Sequence, residues 1–272
     1  MTQHEVVLAG VGLTKTYRAR GAASRRGLTR PALKDVTVEL RRGQVLGVIG
    51  ESGSGKTTLA RCLALLEPID QGQILFEGED TKGLKGKELR AHRRLIQTVF
   101  QDPMASLDPS QTVGSALTEV LSVHNLRPRE ERPARVAELL DVVGMPASAA
   151  HRRPAEFSGG QRQRICIARA LAAEPVVLIA DEAVSALDVS IQAQVLNLLL
   201  KLQRDLHLTV MFISHDLHVV EHVADHIVVM YAGEIVEHAD AKDGIASLTH
   251  PYSQALAAAA PTVAKAAGKE EP

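Results

Sequence analysis

The segment Gly50–Thr57 has the sequence GESGSGKT and combines three glycines with a lysine and a hydroxyl side chain. It follows an apolar run, Val45–Ile49, and precedes a segment with helical periodicity near Thr58–Leu66. Gly53 and Gly55 lack Cβ atoms, so the backbone can curl and point successive N–H groups at one anion, and the helix start adds partial positive charge. The segment therefore predicts a binding site for the phosphates of a nucleotide.

The side chains of this loop supply the remaining charge and ligands. Lys56 can reach the β- and γ-phosphates of a nucleoside triphosphate such as ATP, and the Thr57 hydroxyl can bind Mg²⁺. The alternative is a glycine-rich turn with a surface lysine, which the agreement of strand, spacing and helix disfavours. The predicted cofactor-binding residues are Gly50, Glu51, Ser52, Gly53, Ser54, Gly55, Lys56, Thr57 and Thr58.

Two adjacent acids follow another apolar run, Val176–Ala180. In an open parallel sheet, ligands bind at the carboxyl ends of the strands, so Asp181 and Glu182 are expected to face the phosphates. Asp181 is expected to hold Mg²⁺ through water, and Glu182 to act as the general base for the attacking water. The alternative is that the pair only caps the helix that follows.

The elements that must position these residues indicate an α/β fold. Short runs rich in β-branched residues predict buried parallel strands at Val45–Ile49, Ile96–Phe100, Val176–Ala180, Val210–Ile213 and Ile227–Met230. Helical patterns between the strands predict right-handed crossovers at Thr58–Leu66, Gly159–Ala172, Ile191–Leu206 and Leu217–Val223.

Two regions depart from this alternation. Near the N-terminus, three strand-like segments without helices predict a small antiparallel layer: Val6–Leu13, Ala32–Leu40 and Gly72–Glu77. Between Pro103 and Phe157 no strong strand is found, and helical periodicity at Val113–Val123 and Ala134–Val143 predicts an inserted helical subdomain, about residues 103–170. We expect one domain over residues 1–256 and a C-terminal tail over 257–272; the arginine-rich segment 18–30 is expected to be a solvated loop and receives no function.

Composition excludes several classes of protein. The 272 residues contain 31 Lys and Arg against 32 Asp and Glu, so no global positive field attracts nucleic acid. Four phenylalanines, three tyrosines and no tryptophan supply few rings for stacking on single-stranded bases. The two cysteines, Cys62 and Cys166, lie far apart and predict neither a disulfide scaffold nor a zinc site. No apolar run approaches the roughly 18 residues of a membrane span, so we expect a cytosolic chain, or one held at a membrane by a partner.

Several further motifs, which run along the chain in the family's order, resemble those of the ATP-binding-cassette (ABC) ATPases. Phe157–Arg162, with the sequence FSGGQR, resembles the signature motif and precedes a helix. Phe100–Pro103 resembles the Q-loop, Ser185–Asp188 the D-loop, and Ser214–Asp216 the switch-histidine region. Tyr17 lies where these proteins place an aromatic residue on the adenine. The resemblance covers nearly the whole chain and implies a P-loop NTPase (RecA-like) core.

The resemblance also implies roles for these residues. Ser158, Gly159, Gly160 and Gln161 would bind the γ-phosphate held by an opposite subunit, since they begin a helix with free N–H groups. Gln101 would sense Mg²⁺ and the attacking water, and His215 would contact the γ-phosphate and that water. Asp188 would contact the partner across a dimer or, alternatively, cap its own helix. Tyr17 could also be an ordinary strand aromatic, and both cysteines are expected in the core.

The implied assembly is a transporter. The resemblance implies a second ABC ATPase subunit, in a homodimer or heterodimer, two transmembrane permease subunits and, indirectly, an extracytoplasmic substrate-binding protein. The chain would lie peripherally on the cytoplasmic face of the inner membrane and would bind no nucleic acid.

Three segments are similar to the dipeptide and oligopeptide importer ATPases: Val99–Pro109, Ser185–Val195 and His250–Leu256. A nickel importer ATPase is the neighbouring alternative, and a soluble ABC ATPase of DNA repair or translation is a further one. Ala183 replaces a proline usual in the family, which should leave the chemistry intact. No cysteine follows Cys166, so no iron–sulfur cluster is predicted.

Overall fold

A six-stranded sheet forms the centre of the structure, a computed structural model that describes residues 5–18, 29–185 and 187–259. Five neighbouring strands are parallel, and the last strand of the chain joins one edge in the antiparallel direction. In spatial order they are β10 (Glu234–Asp240), β9 (His226–Tyr231), β3 (Val45–Ile49), β8 (Thr209–Ile213), β7 (Val177–Asp181) and β6 (Ile96–Val99).

The faces of this sheet are buried against different layers. Along β3, Val45 and Ile49 belong to one hydrophobic cluster while Leu46 and Val48 belong to the other, the alternation expected of a strand. Burial on both faces explains why the parallel strands are nearly continuous apolar runs. Helices that connect or follow these strands are α1 (Lys56–Leu63), α2 (Gly86–Leu95), α7 (Val189–Asp205), α8 (Leu217–Val223) and α9 (Pro251–Ala259).

A second sheet covers the face that includes Leu46 and Val48. It is antiparallel, with the order β2 (Thr29–Arg41), β1 (Val6–Arg18), β4 (Gln71–Phe76) and β5 (Glu79–Asp80). The buried side chains of its strands and of α1 share one cluster with the parallel sheet. This layer brings β1 and β2 beside the loop that follows β3.

Between β6 and β7 the chain is helical. This part contains α3 (Pro103–Ser106), α4 (Val113–Val123), α5 (Arg132–Val142) and α6 (Gly159–Leu171), with short 3₁₀ turns at Ala147–His151 and Pro154–Glu156. Leu117, Leu139 and Ile165 share a cluster with the other face of the parallel sheet. Helix α6 packs on β6 as well as on α4 and α5, and so joins the helical part to the parallel sheet.

The predicted fold class is confirmed, whereas some elements were not predicted. Helix α2 fully buries none of its residues and is rich in charged side chains, and β10 is a half-exposed edge strand with several charges. Helix α1 begins two residues before the predicted Thr58, and β1 and β2 extend beyond their predicted bounds. Residues 19–28 of the predicted arginine-rich loop and 260–272 of the tail lie outside the described residues. Within the described ranges, no helix combines the length and hydropathy of a membrane span.

The close crossing of α8 over β3 generates a stability prediction. A Cβ atom on Gly47 would lie 2.2 Å from Cγ1 of Val220, so Gly47→Ala should overpack the core and cost about 1–3 kcal/mol. At roughly 2–4 °C per kcal/mol, thermal unfolding should shift down by several degrees. Gly159→Ala is the control, because its Cβ would have no neighbour closer than 3.4 Å. Equal unfolding temperatures for the two variants would contradict the prediction.

Candidate functional site

The loop from Gly50 to Gly55 leaves the end of β3 and turns into α1. Gly50 has φ 150° and Gly55 has φ 111°, conformations that side-chain-bearing residues rarely adopt. A Cβ on Gly50 would lie 2.2 Å from the Met230 carbonyl oxygen, and one on Gly55 would lie 2.4 Å from the Ala32 carbonyl oxygen. The tight curl of the loop therefore requires glycine at both positions.

The ammonium group of Lys56 folds back over this loop. Its Nζ donates to the carbonyl oxygens of Gly50 at 2.6 Å and Glu51 at 2.9 Å, and the residue is 5% exposed. Burial lowers the pKa of Lys56, while the charges of Glu182 and Asp181 act in the opposite direction. Neutral carbonyls are weaker partners for an ammonium than an anionic oxygen, so the arrangement suits transfer of Lys56 to a phosphate.

The carboxyl ends of β8 and β7 follow that of β3 along one sheet edge beside the loop, where the sequence predicts a ligand site. Asp181 ends β7 and is 5% exposed, and its Oδ1 accepts a hydrogen bond of 3.3 Å from the Thr57 hydroxyl. Burial raises the pKa of Asp181, and the Thr57 hydrogen bond opposes the rise. The carboxylate therefore faces the loop and does not cap a helix.

Glu182 follows directly and has a strained backbone. Its φ of 50° lies in the left-handed region, which costs a residue with a side chain about 1 kcal/mol or more. The conformation is held because the Glu182 N–H donates to the Ile213 carbonyl at 3.0 Å and the Ser185 hydroxyl donates to the Glu182 carbonyl at 3.0 Å.

An open cavity of about 280 Å³ lies over the loop. It is lined by residues of the loop, α1 and β7's end, Ser52, Gly53, Gly55, Lys56, Thr57, Thr58 and Glu182, and by Tyr17, Pro31 and Ala32 of β1 and β2. Tyr17 is 39% exposed, and its hydroxyl is hydrogen-bonded to the Glu67 carboxylate. Tyr17 is thus both a strand residue and part of the cavity wall.

Gln101 and His215 follow strands beside β7 and are exposed. Gln101 comes two residues after β6, whose Val99 pairs with Ala180 of β7. His215 comes two residues after β8, whose Ile213 pairs with Asp181. Both residues lie along the same sheet edge as the loop, although neither lines the cavity.

The start of α6 is separate from this cavity. Ser158 and Gln161 form a reciprocal cap: the Ser158 N–H donates to Gln161 Oε1 at 3.0 Å, and the Gln161 N–H donates to Ser158 Oγ at 3.3 Å. Neither these residues nor Gly159 and Gly160 are among the cavity's lining. Asp188 is the N-cap residue of α7, although its side chain makes no capping hydrogen bond.

Sequence reasoning missed one residue beside the loop. Tyr252, on α9, accepts a hydrogen bond of 3.0 Å from the Glu51 N–H across 201 residues of chain. The sequence predicts only that the His250–Leu256 segment resembles a family marker, and no local signal reveals this contact. The predicted core positions of Cys62 and Cys166 are confirmed; both are buried, which raises their pKa values to about 11 and about 12, respectively.

These residues fit a nucleotide with Mg²⁺. The glycine cradle leaves no room for side chains, and Lys56 has only neutral oxygen partners within it. The Thr57 hydroxyl and the Asp181 carboxylate are close together and are hard oxygen ligands of the kind Mg²⁺ prefers.

Comparison with known proteins relates this site to a family. Residues 33–185 match a protein-family model described as ABC transporter. A Brucella ovis protein named as a peptide import ATP-binding protein is 49% identical over 252 residues, 92% of this chain and 77% of that protein. The glutathione import ATP-binding protein GsiA of Escherichia coli strain K12 is 52% identical over 230 residues, 85% of this chain and 37% of that protein. The dimeric ATP-binding cassette MJ0796, solved with ADP and Pi in a post-hydrolysis state, matches with TM-score 0.72 and 30% identity, over 86% of this chain and 98% of that one.

The buried carboxylate of Asp181 generates a stability prediction. Because burial raises the pKa of Asp181, the charged form opposes folding at neutral pH, above the pKa of the unfolded chain. Asp181→Asn should therefore raise the unfolding temperature of the ligand-free protein at neutral pH by about 2–4 °C, the scale of roughly 1 kcal/mol. The gain should vanish in acid, where the parent carboxyl is protonated.

Calorimetry at neutral and acid pH measures this difference. The gain should also reverse when Mg²⁺ and ATP are added, since the variant loses a ligand for the metal. A variant less stable than the parent at neutral pH without ligand would contradict the prediction.

Proposed function

The chain belongs to the ABC transporter family and is an ATPase of that family, and we propose that it is the ATP-hydrolysing subunit of an importer of dipeptides or oligopeptides. The carrying observation is the 49% identity to the Brucella ovis peptide import ATP-binding protein over 92% of this chain. GsiA, whose name specifies the tripeptide glutathione, supports the same class of cargo.

In the proposed reaction, the residues around the cavity bind ATP and activate water. Lys56 and the N–H groups from Gly53 to Thr58 bind the phosphates, and the Tyr17 ring contacts the adenine. Thr57, Asp181 and Gln101 would hold Mg²⁺, which neutralises charge on the phosphates when bound.

Glu182 is proposed as the general base of the reaction. Its carboxylate accepts the proton of the water as that oxygen bonds to the γ-phosphorus, and the bond from phosphorus to the bridging oxygen of ADP breaks. His215 would orient the same water and the γ-phosphate from the neighbouring strand end.

The separation of α6 from the cavity supports a composite site. The start of α6 presents the Ser158 hydroxyl and the positive end of the helix dipole, and Ser158 and Gly159 are exposed there, which suits an anion from outside this chain. We assign that anion to the γ-phosphate bound by a second ATPase subunit, identical or homologous, with Asp188 at the dimer contact. The dimeric state named for MJ0796 agrees with such an arrangement.

A groove beside Gln101–Leu107 supports a permease partner. Its volume is about 560 Å³, and Phe100, Ser106 and Val120 are among the residues that line it. Val123, at the end of α4, is 51% exposed in this groove. Docking of this groove on the cytoplasmic face of a two-permease importer would place the ATPase on the cytoplasmic side of the inner membrane, with an extracytoplasmic binding protein beyond it.

The proposed base generates a prediction on assembly. Glu182→Gln keeps the shape of the side chain but cannot accept the proton, so hydrolysis should slow by roughly 10²-fold or more. ATP should still bind, and an ATP-sandwiched dimer should accumulate, with itself or with a homologous partner. Light scattering for mass and equilibrium binding for nucleotide affinity measure both effects.

Ser158→Arg, added to Glu182→Gln, is the control for the composite site. The bulky cation should abolish the dimer because it blocks the opposite γ-phosphate, while ATP affinity of the monomer stays unchanged. If the double variant dimerises as well as the single one, or loses ATP affinity as a monomer, the site is self-contained and the composite proposal is wrong.

The proposed permease contact generates a further prediction. Val123→Asp should reduce co-purification of the permeases from detergent-solubilised membranes and reduce peptide uptake at least tenfold, because it puts a charge in place of an exposed apolar side chain of the groove. Val142→Asp is the matched control. Val142 also ends a helix of the helical part between β6 and β7, is 37% exposed and lies outside the groove.

Equal losses for both variants would contradict the contact. If the transporter takes up Ni²⁺ and not peptides, the proposed cargo is wrong. Recovery of the parent chain without any permease would count against the proposal that it belongs to an importer.

A further inference from the structure

We propose that Tyr252 is a positioning residue for the phosphate-binding loop: its hydroxyl fixes the peptide between Gly50 and Glu51 in the orientation that receives nucleotide. The inference rests on the nucleotide site proposed above and adds a residue that lies about 200 positions away in the sequence.

Both hydrogen-bonding groups of the peptide unit between Gly50 and Glu51 have side-chain partners. Its carbonyl, from Gly50, accepts a hydrogen bond of 2.6 Å from Lys56 Nζ, and its N–H, from Glu51, donates to the Tyr252 hydroxyl at 3.0 Å. A trans peptide is planar, with C=O and N–H pointing in opposite directions. Tyr252 and Lys56 therefore hold this unit from opposite sides, and the tyrosine sets the direction of the carbonyl that docks the lysine.

The tyrosine ring is itself held against the parallel sheet. The rings of Tyr252 and Tyr231 have centroids 4.3 Å apart at 41°. Tyr231 ends β9, the strand that pairs with β3 through Val229 and Ile49. The ring pair thus ties α9 to the sheet at the point where the loop leaves β3.

The segment before Tyr252 is anchored separately. Glu237 Oε1, on β10, accepts hydrogen bonds from the Thr249 N–H at 2.5 Å, the Thr249 hydroxyl at 3.0 Å and the His250 N–H at 3.2 Å. The Tyr252 N–H donates to His250 Nδ1 at 3.2 Å. Because the backbone and the ring are both fixed, the hydroxyl reaches the loop from a rigid support, as a positioning group requires.

The expected effect is on nucleotide binding. Without the hydroxyl, the loop must be ordered when the phosphates bind, so affinity should fall by about two- to tenfold, the value of one hydrogen bond. The same loop geometry serves the bound substrate and the transition state, so KM should rise while kcat stays nearly constant.

Tyr252→Phe tests the inference, because it keeps the ring and removes only the hydroxyl. The full chain is used to measure the calorimetric Kd for MgADP, which needs no turnover, together with KM and kcat for ATP and the unfolding temperature. We expect Kd and KM to rise about two- to tenfold, with kcat and unfolding temperature nearly unchanged. Tyr231→Phe is the control: it alters the same ring pair but leaves the Tyr252 hydroxyl in place, and its Kd should match the parent.

Three results would overturn the inference: an unchanged Kd for Tyr252→Phe, a fall in kcat at constant KM, or an equal rise in Kd for Tyr231→Phe. Lys56→Ala distinguishes a failure of the proposed role of Tyr252 from a failure of the proposed nucleotide site. If it binds MgADP as tightly as the parent, the proposed nucleotide site is wrong. If it loses binding while Tyr252→Phe retains full affinity, only the role of Tyr252 is wrong.

Discussion

The pairing of β3 on both of its edges is the constraint on which the site depends. β3 lies between β9 and β8, and both of its faces are buried, so its end cannot shift without breaking two ladders and two hydrophobic clusters. The phosphate-binding loop starts at that fixed end. The same ladders align the end of β3 with Ile213 of β8 and, through it, with Asp181 of β7.

The charges at this edge are held in a state that favours a ligand over the free protein. Lys56 and Asp181 are both buried. Burial lowers the pKa of Lys56 and raises that of Asp181, so in each case it favours the neutral form. Their partners are a pair of carbonyls and one hydroxyl, which compensate an ion less fully than an opposite charge does. A phosphate and a cation would supply those charges, so preorganisation for the ligand is obtained at the expense of stability in its absence.

The features that can be predicted from the sequence are those whose pattern lies within a short segment of the chain. The parallel strands are predictable because burial of both faces makes continuous apolar runs, and the loop because Gly53, Gly55 and Lys56 have a fixed spacing. Helix α2 is not, since none of its residues is fully buried and its sequence is rich in charged side chains. The contact of Tyr252 with Glu51 depends on the path of β9 and β10, and such long-range geometry has no counterpart in residue spacing.

The loop is also supported by segments from distant parts of the chain. The Gly233 N–H, in the turn after β9, donates to the Ser54 carbonyl at 2.9 Å. The Ala32 carbonyl of β2 lies directly against Gly55, where a Cβ atom would be 2.4 Å from it. Together with the Tyr252 hydroxyl, these contacts join the antiparallel layer, the sheet edge and α9 at one short segment. A ligand that orders the loop therefore stabilises all three at once, because binding free energy adds to the stability of every element that the bound conformation requires.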